Sequence, residues 1–161
     1  MSKIILQTKI KAPIGRVFDL ARSIDLHKAS TAKTNEEAIA GKTSGLIELN
    51  ETVTWRAKHF GIYQKLTVKI VEFDKPNKFK DIMLKGTFKS MNHTHSFEEE
   101  NDLTIMNDIF EFESPLGVLG KIANNLFLKK YMTNFLVSKN KVLKEVAESD
   151  KWKILLNENG G

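Results

Sequence analysis

In SPLGVLGKIANNLFLKKYMTNFLVSKNKVLKEVAES, residues Ser114–Ser149, the spacing of apolar residues changes from that of strands to that of a helix. Ser114 and Pro115 are residue types that commonly cap a helix and occupy its first turn. Apolar side chains then recur three and four residues apart. They are Leu119, Ile122, Leu126, Leu128, Met132, Phe135, Leu136, Val142, Leu143 and Val146. The pattern predicts one long amphipathic helix.

The chain before this helix alternates between apolar and polar residues, which is typical of strands. Short turns rich in Gly, Asn and Asp separate the alternating runs, so we expect antiparallel hairpins. The predicted strands are Lys3–Lys11, Glu37–Ala40, Leu46–Phe60, Tyr63–Phe73, Lys78–Lys85, Phe88–Glu98 and Leu103–Glu113. Two short helices, opened by Pro13 and capped by Ser23, follow the first strand. The fold class is therefore α+β, with a curved antiparallel sheet covered by one long helix.

The composition is that of one soluble globular domain of 161 residues. We expect a single domain over residues 1–149 and a C-terminal tail over residues 150–161. In that tail Trp152, Leu155 and Leu156 would dock back on the domain or cover a neighbouring protein.

Several classes of function are disfavoured by what the sequence lacks. The absence of cysteine excludes disulfides and a cysteine nucleophile, and it fits a cytoplasmic location. No apolar run has the length of a membrane span, and the N-terminus does not read as a signal peptide, so no integral membrane association is expected. The net charge of +5 comes from scattered lysines, which does not favour nucleic-acid binding. No glycine-rich nucleotide motif is present, and we expect no cofactor.

Three phrases resemble the START-like superfamily, which includes birch-pollen-allergen-like and polyketide cyclase/dehydrase-like (SRPBCC) proteins. They are IKAPIGRVFDLARSIDLH, GLIELNETVTWRAKHFGIYQKLTVKI and SPLGVLGKIANNLFLKKYM, and the resemblance covers about Lys3 to Glu148. It implies the helix-grip fold, in which a bent sheet wraps around the C-terminal helix and encloses a cavity. Members bind lipids, sterols or polyketides, and some catalyse cyclisation or hydrolysis. Because the superfamily has no single catalytic motif, the resemblance implies no catalytic residue.

Alternation along each strand assigns the side chains that face this cavity. We predict His27 to be a surface or capping residue, whereas Gln64 should face inward near His59 at the rim. The candidate ligand-binding residues are Glu51, Trp55, His59, Asp81, Met83, Met91, His93, His95, Phe97, Met106, Asp108, Phe110, Ile122 and Leu126.

The phrase SMNHTHSFEEEND places two imidazoles, His93 and His95, on the inward face. A turn at Glu100-Asn101 would set Asp108 opposite His93 and Met106 opposite His95, with Asp81 on the other side of His93. A register slip of two residues would instead place Asp108 opposite His95.

This cluster has several possible roles. The histidines and Asp108 could hold a polar ligand group, act as catalytic acid and base, or simply satisfy one another in the core. His-x-His with a third ligand from Asp108, Asp81 or His59 is a weak zinc pattern, and we expect no metal.

We therefore expect the protein to bind a small hydrophobic or amphipathic molecule, lipid-like or polyketide-like, in an internal cavity. An enzyme of the cyclase, dehydratase or hydrolase kind is the first alternative, and it would use a cavity histidine as acid or base. A protein-interaction module, similar to the co-chaperone branch of the superfamily, is the second.

Overall fold

Seven strands form one antiparallel sheet in the computed structural model, which describes residues 1–114 and 124–157. The strands are β1 (Ser2–Ile10), β2 (Glu37–Gly41), β3 (Thr52–His59), β4 (Ile62–Asp74), β5 (Lys78–Lys85), β6 (Ser90–Glu100) and β7 (Leu103–Glu113). Their order in the sheet is β1-β7-β6-β5-β4-β3-β2, so the first two strands form the two edges. Breaks in register between β2 and β3 and between β4 and β5 are of the kind that bends a sheet.

The helices begin where the sequence supplies caps and first-turn residues. Helix α1 (Ile14–Ala21) starts directly after Pro13, and the Ser23 hydroxyl accepts a hydrogen bond from the Leu26 amide at the start of α2 (Ile24–Ser30). The long C-terminal helix consists of a π-helical turn, Asn124–Leu128, followed by α3 (Lys129–Ala147). The predicted helix-grip architecture is confirmed. The expected start of the long helix, with Leu119 and Ile122, lies outside the described residues.

The inward faces assigned by alternation form the core. Trp55 on β3, Val68 on β4, Phe79 on β5, Met91 on β6 and Phe112 on β7 are all buried. Successive strand side chains point to opposite faces, so one correct assignment fixes the whole strand. The sequence therefore predicted the faces of the sheet correctly.

An aromatic cluster fixes α1 against the sheet. The ring of Phe18 lies 5.4 Å, centroid to centroid, from each of the rings of Phe73, Phe79 and Phe97, in edge-to-face arrangements. Such pairs add to the stabilisation that comes from burying the rings themselves.

The long strand predicted over Leu46–Phe60 is wrong in its first half. Strand β3 begins only at Thr52, because the chain turns at Asn50, whose φ is +68°, and the Glu51 amide donates to the Glu48 carbonyl. Asparagine tolerates this left-handed conformation better than most residues. The turn places Glu51 outside the alternation of β3.

The predicted turn between β6 and β7 is displaced by one residue. Glu100 pairs with Leu103, so the turn residues are Asn101 and Asp102, whose φ angles are +51° and +65°. A two-residue hairpin of this type needs left-handed conformations, which Asn and Asp adopt more readily than Glu. The whole register therefore shifts by two residues, which is the alternative left open by the sequence.

The C-terminal segment docks on its own domain. Residues Lys151–Asn157 form a short helix, α4, whose Trp152, Leu155 and Leu156 are partly buried against the core. The Arg16 guanidinium lies 4.0 Å from the centre of a Trp152 ring, a cation–π contact. The expectation that these side chains dock back fits this packing, whereas an interaction surface built from them has less support.

Candidate functional site

Two adjoining chambers lie between the sheet and α3. The first, here named the histidine chamber, measures about 130 Å³ and is lined by His27, His93 and His95 among others. The second, named the tyrosine chamber, measures about 270 Å³ and is lined by His59 and Tyr131 among others. Both are lined by the same six residues where they meet: Glu36, Trp55, Leu66, Phe88, Met132 and Phe135. Aromatic and aliphatic side chains thus surround a small number of buried polar groups, which is typical of ligand pockets.

Asp108 lies behind the histidine chamber and is only 1% exposed. Its Oδ1 accepts hydrogen bonds from His93 Nε2 and His95 Nδ1, each at 2.9 Å. Its Oδ2 accepts a hydrogen bond from the Asn140 amide of α3 at 2.7 Å. Asp108 does not line either chamber, so its position allows it to orient the histidines but not to contact a ligand.

The pKa values of the two histidines are shifted in opposite directions. Burial disfavours charge on His95, but the carboxylates of Asp108 and Asp81 raise its pKa above the ordinary value. His95 Nε2 lies 3.5 Å from Asp81 Oδ2, so both of its ring nitrogens face a carboxylate. This geometry fits an imidazolium that donates on both sides.

His93 is the neutral partner of the pair. Burial and the neighbouring charge of His95 lower the pKa of His93, and the hydrogen bond to Asp108 only partly offsets them. Because an ionised carboxylate can only accept, the proton of neutral His93 lies on Nε2, which leaves Nδ1 as an acceptor. The two rings are 3.8 Å apart, so a base and an acid lie side by side.

The same residues have the spacing of a metal site. Ligand atoms of Asp81, His93 and His95 lie within 4.8 Å of one another. A divalent ion bound to a ring nitrogen of His95 would have to replace the proton that this nitrogen directs at an aspartate. The expectation that no metal binds stays a prediction.

A second pair of hydrogen-bonded polar side chains, His27 and Glu36, lies where the chambers meet. His27 Nε2 donates to Glu36 Oε1 at 2.7 Å, and the His27 ring stacks on Trp55 with centroids 4.0 Å apart. Burial, followed by the charge of Lys139, lowers the pKa of His27, which keeps this ring neutral at pH 7. Lys139 lines the histidine chamber, and burial lowers its pKa as well, against the attraction of Glu36, Asp81 and Asp108.

The tyrosine chamber has fewer polar groups. His59 Nδ1 and the Tyr131 hydroxyl share a hydrogen bond of 2.6 Å, which joins the end of β3 to α3. Gln64 also lines this chamber, as its inward position predicted. Phe60 and Phe127, both more than half exposed, stack loosely beside Tyr131 at the surface.

The structure brings half of the fourteen predicted site residues to the two chambers. Seven of them line the chambers: Trp55, His59, Asp81, Met91, His93, His95 and Phe110. Phe97 and Met106 are buried in the core but line neither chamber, and Met83 packs against the core from a partly buried position.

The remaining predicted site residues are Glu51, Leu126 and Ile122. Glu51 is not on the cavity face: its carboxylate accepts from the Glu48 amide and lies 3.7 Å from the Lys42 ammonium. Leu126 is 88% exposed and lines neither chamber, and it lies in the π-helical turn Asn124–Leu128. Ile122 lies outside the described residues.

Sequence reasoning missed four polar residues of the site. The interpretation of His27 as a surface or capping residue is wrong, since its ring packs on Trp55 inside the cavity. Lys139 and Asn140 interrupt the apolar stripe of α3, and such an interruption is the signal that could have found them. Glu36 stands one residue before β2, where extending the alternation backwards would have placed it inside.

Solved structures with a similar fold are numerous. A crystallised protein from Thermus thermophilus matches with a TM-score of 0.73 and 21% identity, over 89% of this chain and 94% of that one. A START superfamily protein from Mycobacterium smegmatis gives 0.69 and 12%, over 92% and 98%. The major latex-like protein 151 of Panax ginseng gives 0.65 and 17%, over 92% and 98%.

These likenesses confirm the resemblance at the level of the fold: the chain has the helix-grip fold of START-type proteins. No family model matches the sequence, and no curated protein matches it. Within the described residues, no helix combines the length and apolarity needed to cross a bilayer.

Replacing Asp108 by Asn should destabilise the protein by about 3–5 kcal/mol at pH 7, since it breaks a buried charged pair. Guanidinium denaturation measures this loss. Asp102→Asn is the matched control, because Asp102 lies in an exposed turn where Asn is equally suitable. Equal stabilities for the two variants would contradict the structural role given to Asp108.

The stability of the protein at low pH also depends on the carboxylate of Asp108. The pKa of Asp108 lies below its ordinary value of 3.8, because the hydrogen bonds from His93 and His95 outweigh burial. Its stabilisation is therefore complete above the ordinary value and is lost as the pH falls below it. Between pH 5 and pH 2, Asp108→Asn should lose less stability than the parent protein does, in parallel denaturation series.

Proposed function

We propose that the protein binds a small hydrophobic or amphipathic molecule, lipid-like or polyketide-like, within the two chambers. The observation that carries the proposal is the junction of an aromatic-lined cavity with a buried His/Asp network. A ligand of this kind would place its apolar body in the tyrosine chamber and its polar end towards His93 and His95. The protein would then act as a carrier or sensor in the cytoplasm.

The sizes of the chambers support this assignment. At about 270 Å³, the tyrosine chamber is close to the lower end of the volumes found for small-molecule pockets. The histidine chamber adds a smaller compartment that carries Asp81 and the two histidines. His95 and Lys139 are two basic groups beside the carboxylates of Asp81 and Asp108, so the ligand need not carry a compensating charge.

Filling the tyrosine chamber should abolish binding without unfolding the protein. Ala57 is buried on β3 and lines this chamber, so the ring of Ala57→Phe would occupy the space of a ligand. We expect the affinity for the neutral fluorescent probe N-phenyl-1-naphthylamine to fall by about tenfold or more. Fluorescence titration measures the affinity, and circular dichroism checks the fold.

Ala29→Phe is the matched control, because Ala29 is exposed on α2 and lines neither chamber. This variant should bind the probe as the parent protein does. If Ala57→Phe also binds it with unchanged affinity, the probe does not enter the chamber and the proposed binding site is wrong.

An acid–base enzyme is the second candidate, and the opposite pKa shifts of the two histidines favour it. Neutral His93 could accept a proton through Nδ1, and Asp108 would orient its ring, whereas both ring nitrogens of His95 face carboxylates. Neighbouring groups whose pKa values are driven apart are typical of acid–base sites. A positioned base of this kind can promote the cyclisation, dehydration or hydrolysis of a carbonyl compound.

His93→Gln separates this candidate from simple binding. With a panel of aromatic polyketone substrates followed by liquid chromatography and mass spectrometry, we expect the variant to lower kcat by about 100-fold or more. Its affinity for N-phenyl-1-naphthylamine should stay unchanged. If the parent protein turns over a substrate and His93→Gln turns it over at the same rate, His93 is not the base.

A further inference from the structure

Glu36 is the carboxylate that lines both chambers among the described residues. A short 3-10 turn, Ala32–Thr34, and the left-handed Asn35 bring the chain to this position at the start of β2. Alternation then points Glu36 inward and Glu37 outward, where Glu37 pairs with Arg56. The Glu36 side chain is only 8% exposed, so its carboxylate is withdrawn from bulk water.

The two oxygens of this carboxylate have different surroundings. Oε1 accepts the 2.7 Å hydrogen bond from His27, whose ring is fixed in turn by its stack on Trp55. Oε2 is buried and has no hydrogen-bond partner within the part of the chain that the structure describes. Leaving a buried charged acceptor unpaired costs free energy, and a ligand donor that reaches this oxygen would recover that cost.

The charges around Glu36 restrict what that donor can be. Burial opposes ionisation of Glu36, but His27 and then Lys139 hold its pKa below the ordinary value, so the carboxylate is an acceptor at pH 7. The charge of Lys139 counts against a cationic ligand in the same chamber, whereas Glu36 and Asp81 count against an anionic one. A neutral O–H group satisfies the free oxygen without either penalty.

We propose that Glu36 Oε2 accepts a hydrogen bond from a neutral hydroxyl group of the ligand, which is therefore an apolar alcohol or phenol. The aromatic side chains Trp55, Phe88 and Phe135 at the junction favour a flat apolar body next to that hydroxyl. This inference rests on the proposed function, because it requires a molecule in the chambers. It assigns the anchoring contact to Glu36, which lines both chambers, whereas His93 and His95 line only the histidine chamber.

Two probes of nearly equal shape test the proposal. 2-Naphthol carries a hydroxyl where 2-methylnaphthalene carries a methyl group, so the ratio of their affinities isolates the hydrogen bond. We expect the parent protein to favour 2-naphthol, and Glu36→Gln to lower this preference by about tenfold, since hydrogen bonds to a charged acceptor are the stronger kind. Glu36→Met, which removes the acceptor entirely, should lower the preference at least as far. Isothermal titration calorimetry at pH 7 measures each affinity.

Glu37→Gln is the matched control, because the neighbouring carboxylate faces outward and should leave the ratio unchanged. If both probes bind and the ratio is the same in the parent protein and in both Glu36 variants, Glu36 does not anchor a hydroxyl, while the proposed binding function stands. If neither probe binds to the parent protein, the proposed function and this inference are both wrong for ligands of this class.

Discussion

The buried carboxylate of Asp108 is the interaction on which the arrangement of sheet, helix and cavity depends. It accepts hydrogen bonds from two histidines of β6 and from Asn140 of α3, so one side chain of β7 joins both layers of the fold. A carboxylate without water is stable only when its acceptor sites are filled by donors. The same hydrogen bonds therefore fix both the strand register and the position of α3. They also fix the width of the cavity between the sheet and the helix.

The polar groups of the cavity exceed what the fold requires. Apolar packing around Phe18 already holds α1 on the sheet, and a buried ionic network is seldom more stable than an apolar core of equal volume. Yet His95, Asp81, Glu36 and Lys139 all lie on the cavity side of an otherwise apolar frame. Polar groups retained at such a cost favour a binding or catalytic role over a purely structural one.

The sequence predicted the parts of the structure that depend on local pattern. Alternation along β6 and β7 placed His93, His95 and Asp108 on one face, because strand side chains have a strict period of two. The register first predicted for β6 and β7 was wrong, because it depends on which two residues take left-handed conformations at the turn. His27 was misassigned and Lys139 was missed for a different reason: a helical side chain becomes part of a site only through tertiary packing, which periodicity alone does not determine.

Nitrogen-15 spectroscopy of the histidine side chains at pH 7 reports the proton on each ring nitrogen. The opposite pKa shifts of His93 and His95, whose rings both bond to Asp108, predict a charged and a neutral imidazole side by side. We expect His95 to give the signals of an imidazolium, with both nitrogens protonated, and His93 to give those of a neutral ring with its proton on Nε2. Two neutral rings, or a neutral His95 beside a charged His93, would contradict this distribution of protons.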